Sequence, residues 1–266
     1  MTSYLKNDSL KMEPLTDEER IGAARDPLTT PEQLNKLSMD DDSCVRYYVA
    51  GNPATPIEAI TRLAHDDDED VSELAISSAV IQPSTLSELS THTNVVQRVA
   101  VARHPLTPTI VLNSLSTDAD RHVRANVARN PSTPLSVLNV LSLDEAEDVR
   151  VGIAGNPKVS QALLIQLLER TNYDDIRVLA AAAGNRALPS RMLVQFVSDD
   201  RPLIRMSAAS NPLLKPEQMN ELLFDSDEYV RKALMENAAL HGSLSMCSVE
   251  DRKSTRLNSS HANVSR

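Results

Sequence analysis

Two acid-rich runs, SMDDDSC at 38–44 and AHDDDED at 64–70, bring carboxylates close enough together to hold a hard cation. An EF-hand loop also needs a glycine at its sharp turn and a closing glutamate at fixed spacing, and neither run supplies them. Both runs fall between elements, where other parts of the chain also place acids, as at Asp118 and Asp120. That position suits helix-capping loops better than ion sites. His65, His92, His104, His122 and His241 show no metal-ligand spacing with carboxylates on one helical face. Cys44 and Cys247 lie far apart and outside any C-x-x-C or Cys/His cluster, so they indicate neither a disulfide framework nor a metal. Gly-rich phosphate loops, nucleophile elbows and H-E-x-x-H are all missing from the sequence. No cofactor is therefore expected, although catalytic residues could still converge from distant segments.

A column of arginines is the next candidate: Arg46, Arg98, Arg124, Arg150, Arg177, Arg205 and Arg231, interrupted by Ser72. Such a ladder could grip phosphates or a partner's carboxylates. It could equally pack its aliphatic stems and pair with nearby acids such as Asp120, Asp148 or Asp227. Recurrence once per unit is how a structural residue behaves, which favours the second role. RNPSTPLSVL, residues 129–138, poses a similar choice. Its Pro131-x-x-Pro134 spacing suits an extended recognition peptide, yet the same spacing returns at Pro53/Pro56 and Pro105/Pro108.

These features recur because the chain is one unit repeated. The junction pair stands at residues 26, 52, 78, 104, 130 and 156, then at 185, 211 and 237, a period of 26 with one interval of 29. Eight residues after each junction come Leu34, Ile60, Leu86, Leu112, Leu138, Leu164, Leu193 and Met219. Eleven after it come Leu37, Leu63, Leu89, Leu115, Leu141, Leu167, Phe196 and Leu222. Nineteen after it stand Val45, Val71, Val123, Val149, Ile204 and Val230.

One unit reads as two short helices. Thr133 can cap the first, with Pro134 in the first helical position, where its missing N–H costs nothing. LDEAEDVR supplies acids for the second helix start, and the next Asn-Pro stops that helix because the residue before proline leaves the α region. Helices of about eight or nine residues are below the ~12–15 needed for marginal stability alone. Stacking on neighbouring units must therefore supply the stability, which describes a solenoid. The absence of Trp, with two Phe and five Tyr, leaves Leu, Val, Ile and Ala to build its core.

The consensus N-P-x-T-P-x-x-x-L-x-x-L-x-x-D-x-D-x-x-V-R-x-x-V-A-x, running from about Asp26 to Cys247, resembles the bacterial leucine-rich repeat variant family, whose repeats are HEAT-like. The resemblance implies an all-α α-solenoid, a right-handed superhelix in which short α-helices alternate with 3₁₀-helices. An N-terminal iron–sulfur cluster occurs in one member type, but such a cluster needs about four cysteine thiolates. The segment before Asp26 has none.

Domain organisation follows from these observations. Residues 1–25 are expected to form an N-terminal extension or cap, and 26–250 the repeat solenoid with an incomplete last unit, where Ser245 and Ser248 occupy apolar positions. Residues 251–266 break the pattern, and DRKSTRLNSSH resembles a translated sequencing adapter, so this tail is read as non-native. Without it, 23 basic and 36 acidic residues remain, a net charge of −13.

The functional expectation is a non-catalytic scaffold that binds another protein, with Arg98, Arg124, Arg150, Tyr173 and Arg177 as candidate contact residues. Tyr173 enters because the 29-residue interval can place it on a protruding loop. The alternative is a HEAT-like repeat enzyme, resembling chromophore lyases or nucleic-acid glycosylases. Net negative charge and the lack of Trp argue against nucleic acid as a partner. No bilayer-length apolar run or secretion signal is present, so a cytoplasmic, monomeric protein is expected.

Overall fold

The computed structural model describes residues 16–241, with side chains through Asn237. The proposed tail, Cys247, Ser245 and Ser248 lie outside the described residues. Every described element is an α-helix. Contacts divide the chain into two compact units between Val137 and Leu138. In the first unit, long helices α1 (Asp17–Arg25), α3 (Ser43–Gly51), α5 (Glu69–Ile76), α7 (Val95–Arg103) and α9 (Arg121–Arg129) stack in succession. Between them run α2 (Pro31–Leu37), α4 (Ile57–Leu63), α6 (Pro83–Leu89) and α8 (Thr109–Leu115). Helix α10 (Leu135–Leu141) includes the dividing point. In the second unit α11 (Glu147–Gly155), α13 (Ile176–Gly184), α15 (Pro202–Ala209) and α17 (Glu228–His241) stack likewise. Their partners are α12 (Gln161–Glu169), α14 (Ser190–Val197) and α16 (Pro216–Leu222). Each unit is thus a stretch of all-α solenoid.

Helix α1 lies within the segment expected as a cap and packs on α3 as any long helix packs on its successor. The 3₁₀-helices implied by the family resemblance do not occur among the described residues, where the shorter helix of each repeat is an α-helix of seven to nine residues. Seven residues suffice for i→i−4 bonding because both ends are closed from outside. At the start, Pro31, Pro83 and Pro216 occupy the first turn, while Pro56, Pro108 and Pro189 stand one place earlier at the N-cap.

Thr30 caps α2 by accepting from Gln33 N–H, but the threonines at the other turns do not play the expected capping role. Thr55, Thr107 and Thr133 donate their hydroxyls backwards to the carbonyls of Val49, Val101 and Val127, at 2.6, 2.5 and 2.6 Å. They satisfy the end of the preceding helix, which leaves four carbonyls without intrahelical partners. Long helices α3, α5, α7, α9 and α17 start on a true side-chain cap at Asp42, Asp68, Asn94, Asp120 and Asp227, whose Oδ1 atoms accept from the residue two places on, whereas α11, α13 and α15 have no side-chain cap bond. They stop at Asn52, Asn130 and Asn156, all in extended backbone, as a residue before proline must be.

The apolar columns form the core. Leu34, Leu86, Leu112, Leu138, Leu164 and Leu193 are completely buried, as are Val45, Val123, Val149, Ile204 and Val230. Leu37 and Met219 are only half-buried, and next to Met219 it is Gln218 that points inward. Replacing Leu138 by Ala removes a fully enclosed side chain. Chemical denaturation should show a loss of about 2–5 kcal/mol with an unchanged m-value.

Candidate functional site

The junction asparagines carry the first set of ties between repeats. Asn52 donates from Nδ2 to the carbonyls of Ala24 and Asp26 at 2.8 and 2.9 Å, while its Oδ1 accepts from Ala54 N–H. Asn130 repeats this with Ala102, His104 and Ser132. In the second unit Asn185, Asn211 and Asn237 each reach two carbonyls of the preceding repeat at 2.7–3.0 Å. These amides are at least nine-tenths buried. Their helix-stopping place before proline was legible in the sequence, but the inter-repeat bonds were not.

The arginines form the second set. Arg98 donates Nη1 to the carbonyls of His92 and Thr93, in the loop before its own helix. Its Nε and Nη2 grip Asp118 of the following repeat at 2.8 and 3.1 Å. Arg46 does the same with Asp66, and Arg205 with Asp225. Bidentate pairing of this kind is the strong form of the interaction. The column also begins one repeat earlier than expected, at Arg20, which pairs with Asp40 at 2.8 Å. Its place six residues before the junction was a usable signal, masked by Glu19 standing where Val45 stands in the next repeat. Arg205 holds Asp225 below the usual carboxylate range, against an opposing push from burial. At Asp118 burial pushes the carboxyl up, but Arg98 and the Asp120 N–H outweigh it and the group is again lowered.

The expected contact residues therefore have different fates. Arg98 has only 15% of its side chain exposed. Arg124 and Arg150 donate Nη1 to the loops before their helices, to Asp118 and Ala119 and to Asp144 and Glu145. Arg150 also lies 3.6 Å from Asp175. Arg177 is not in the column: it falls two places early on α13, and Leu179 takes the column position. Arg177 is half-exposed and pairs with Asp148 at 2.8 Å and Glu147 at 3.5 Å. Tyr173 sits on the three-residue insertion, 65% exposed.

Arg201, absent from the sequence-based set, repairs the gap left by Leu179. It occupies the usual cap position before α15, grips Asp199 with Nε and Nη2, both at 2.8 Å, and donates Nη1 to the Tyr173 carbonyl. Its guanidinium also lies 3.9 Å from the Tyr173 ring centroid, a cation–π contact. The inserted loop is thereby tied to the following repeat.

Two open depressions lie on the surface of the second unit. One, about 560 Å³, is lined by small residues, Gly155, Ala181, Gly184 and Ser207, together with Tyr229 and Lys232. The other, about 480 Å³, is bordered by Asp199, Arg205, Glu221 and Asp225. Its charged groups are mostly the inter-repeat ties just described. Among the described residues no group of three metal-ligating side chains occurs, and no helix is long and apolar enough to cross a membrane.

The chain matches no protein-family model and no curated protein. Among solved structures it is similar to a leucine-rich repeat variant with a novel repetitive structural motif, at 23% identity and TM-score 0.47, covering 78% of this chain and 81% of the other. An engineered protein follows at 17% identity and TM-score 0.27, covering 83% and 94%. A designed armadillo repeat protein gives 17% identity and TM-score 0.25, covering 82% and 96%. All three scores are low, and the fold assignment stands on the chain's own helices.

Asn211→Ala strips two buried carbonyls of their donor and should cost at least about 1–3 kcal/mol in denaturant melts. Acid should act on the arginine ties. Their aspartates have lowered folded pKa values, so their contribution is complete above the ordinary carboxylate range, about pH 4, and fades as pH falls below it. A melting temperature that drops steeply below about pH 4 in wild type, and less steeply in Arg205→Met/Asp225→Leu, is the expected result.

Proposed function

We propose that the chain is a non-catalytic member of the bacterial leucine-rich repeat variant family, a scaffold that binds another protein through side chains lying between its consensus positions. The observation that supports this most directly is how the repeated polar groups are spent. Asparagine amides, threonine hydroxyls and most column arginines bond within the chain. The residues left facing outwards vary from repeat to repeat and include Ile110, Tyr173, Phe224 and Tyr229, each more than 60% exposed. A stack of this kind presents contact residues at little ordering cost on association.

Among the candidate contact residues, Tyr173 and Arg177 are the outward pair. Arg98, Arg124 and Arg150 hold loops together and contribute to binding by keeping the surface in register. A cytoplasmic monomer with a protein partner is part of the same reading. Eighteen acids against seven bases in residues 1–92, and eighteen against sixteen in residues 93–250, concentrate negative charge in the N-terminal third and disfavour a phosphate backbone there. A carboxyl that serves as a general acid near neutral pH needs a raised pKa. The carboxylates of the 480 Å³ cavity with resolved shifts are instead lowered by their arginine partners.

Affinity capture from lysate of the source organism tests the reading. Wild type is compared with Tyr173→Ala/Arg177→Glu, with matched melting temperatures as the folding control. A protein retained by wild type and reduced at least about tenfold by the double variant supports it. Equal capture by both removes the binding site from this loop, and tight, salt-dependent DNA binding overturns the scaffold reading itself.

A further inference from the structure

The seams between successive long helices of the first unit are not equally fastened. At the α1/α3 seam Arg20 pairs with Asp40, and Asn52 reaches two carbonyls of the preceding repeat. At the α7/α9 seam Arg98 grips Asp118, and Asn130 again reaches two carbonyls. The α3/α5 seam loses its asparagine to Ser78, whose hydroxyl accepts from Val80 N–H at 3.5 Å. It keeps the bidentate Arg46–Asp66 pair, at 2.7 and 2.9 Å.

Of these four seams, α5/α7 has neither tie in full. Position 72 of α5, where an arginine is due, is a fully buried serine whose hydroxyl donates to Glu69 O within its own helix. Twenty residues on, where the aspartate is due, stands His92, which accepts from Asn94 N–H inside its own turn. At the junction His104 takes the asparagine's place. Its Nδ1 accepts from Leu106 N–H, so the neutral ring has a single N–H left, whereas Asn130 gives two to the preceding repeat. Arg103 reaches Glu73 at 3.0 Å and Ser77 at 3.3 Å, and Asn94 reaches Glu69 at 2.9 Å. These bonds are exposed, and exposed contacts contribute little. Helix α7 itself is less firmly seated. Gln97 stands in the valine column, 3% exposed, and its Oε1 has no hydrogen-bond partner among the described residues. Val45, Val71 and Val123 bury no such acceptor.

We propose that the α5/α7 seam is a conformational joint, at which α1, α3 and α5 open away from α7 and α9 as one block more readily than at any other seam of the first unit. In a stack with nearest-neighbour energetics, partial opening occurs where the interface is weakest. Leu86, Leu89 and Val101 remain buried there, so apolar packing holds the seam closed in the ground state. What the seam lacks is directional bonding, the part of the interface that fixes registry. A solenoid with one soft seam changes curvature at that seam when a partner docks, while the fully tied repeats on either side keep their shape. The joint is independent of the Tyr173 loop, which lies in the second unit.

Native-state hydrogen exchange on the full chain, over a series of low guanidinium concentrations at about pH 7.5, tests the joint. Helices of this length do not persist away from the stack, so opening releases their amides. The amides of α3 and α5 should share one opening with one denaturant slope, populated at least about tenfold more than the opening of α7 and α9. His104→Asn restores the second donor and should lower the population of that opening at least about threefold, with exchange in α9 unchanged. Protection that fades gradually from α1 inwards, as end fraying gives, would overturn the proposal, and so would a single opening shared by α3, α5, α7 and α9. Both of these are read in the wild-type chain and hold even where the variant does not fold. Exchange of the α3 and α5 amides in folded His104→Asn at the wild-type rate overturns it as well.

Discussion

Helices of seven to nine residues have more unsatisfied backbone groups at their ends than bonds in their middle, and this constraint governs the whole molecule. Each repeat meets it with groups from its own turn and from the repeat that follows. Thr133 closes one carbonyl of its own α9, and Asn130 closes two carbonyls at the end of the repeat before. The asparagine is therefore both a stop signal and a connector. Its extended backbone ends one helix, and its amide fastens that end to the neighbour. Leucine and valine columns supply the apolar burial, but those side chains are similar from repeat to repeat and could tolerate a slip along the stack. Directional bonds at every turn remove that freedom.

The arginines serve the same end on the opposite rim of each repeat. Arg98, Arg46 and Arg205 each span a loop of their own repeat and a carboxylate of the next. Their charge is paired within the chain, so a column that reads as an anion-binding ladder is mostly a row of staples. Chemistry directed outwards is left to residues outside the consensus, which differ from repeat to repeat.

Departures from the repeat show which groups are interchangeable. Leu179 removes one arginine from the column, and Arg201 restores a bidentate aspartate pair from a different backbone position while binding the inserted loop at Tyr173. His104 replaces an asparagine and keeps its bond inside the turn, where its Nδ1 accepts from Leu106 N–H. In the first case the tie survives in kind. In the second the bond within the turn is what the ring retains.

The 26-residue period determined the all-α class, the buried faces through Leu138 and Val149, the helix stops before proline and the caps at Asp120 and Asp227, because each of these depends on residues a few places apart. Tertiary structure alone decided the partners across repeats. Asn130 bonds a carbonyl 28 residues away, Arg98 a carboxylate 20 residues on, and Arg201 a carbonyl 28 residues back. It also turned Thr133 away from the helix it precedes and displaced Arg177 from the column. One turn of insertion or one shifted residue changes which atoms face each other across the stack, and only the packed arrangement fixes that registry.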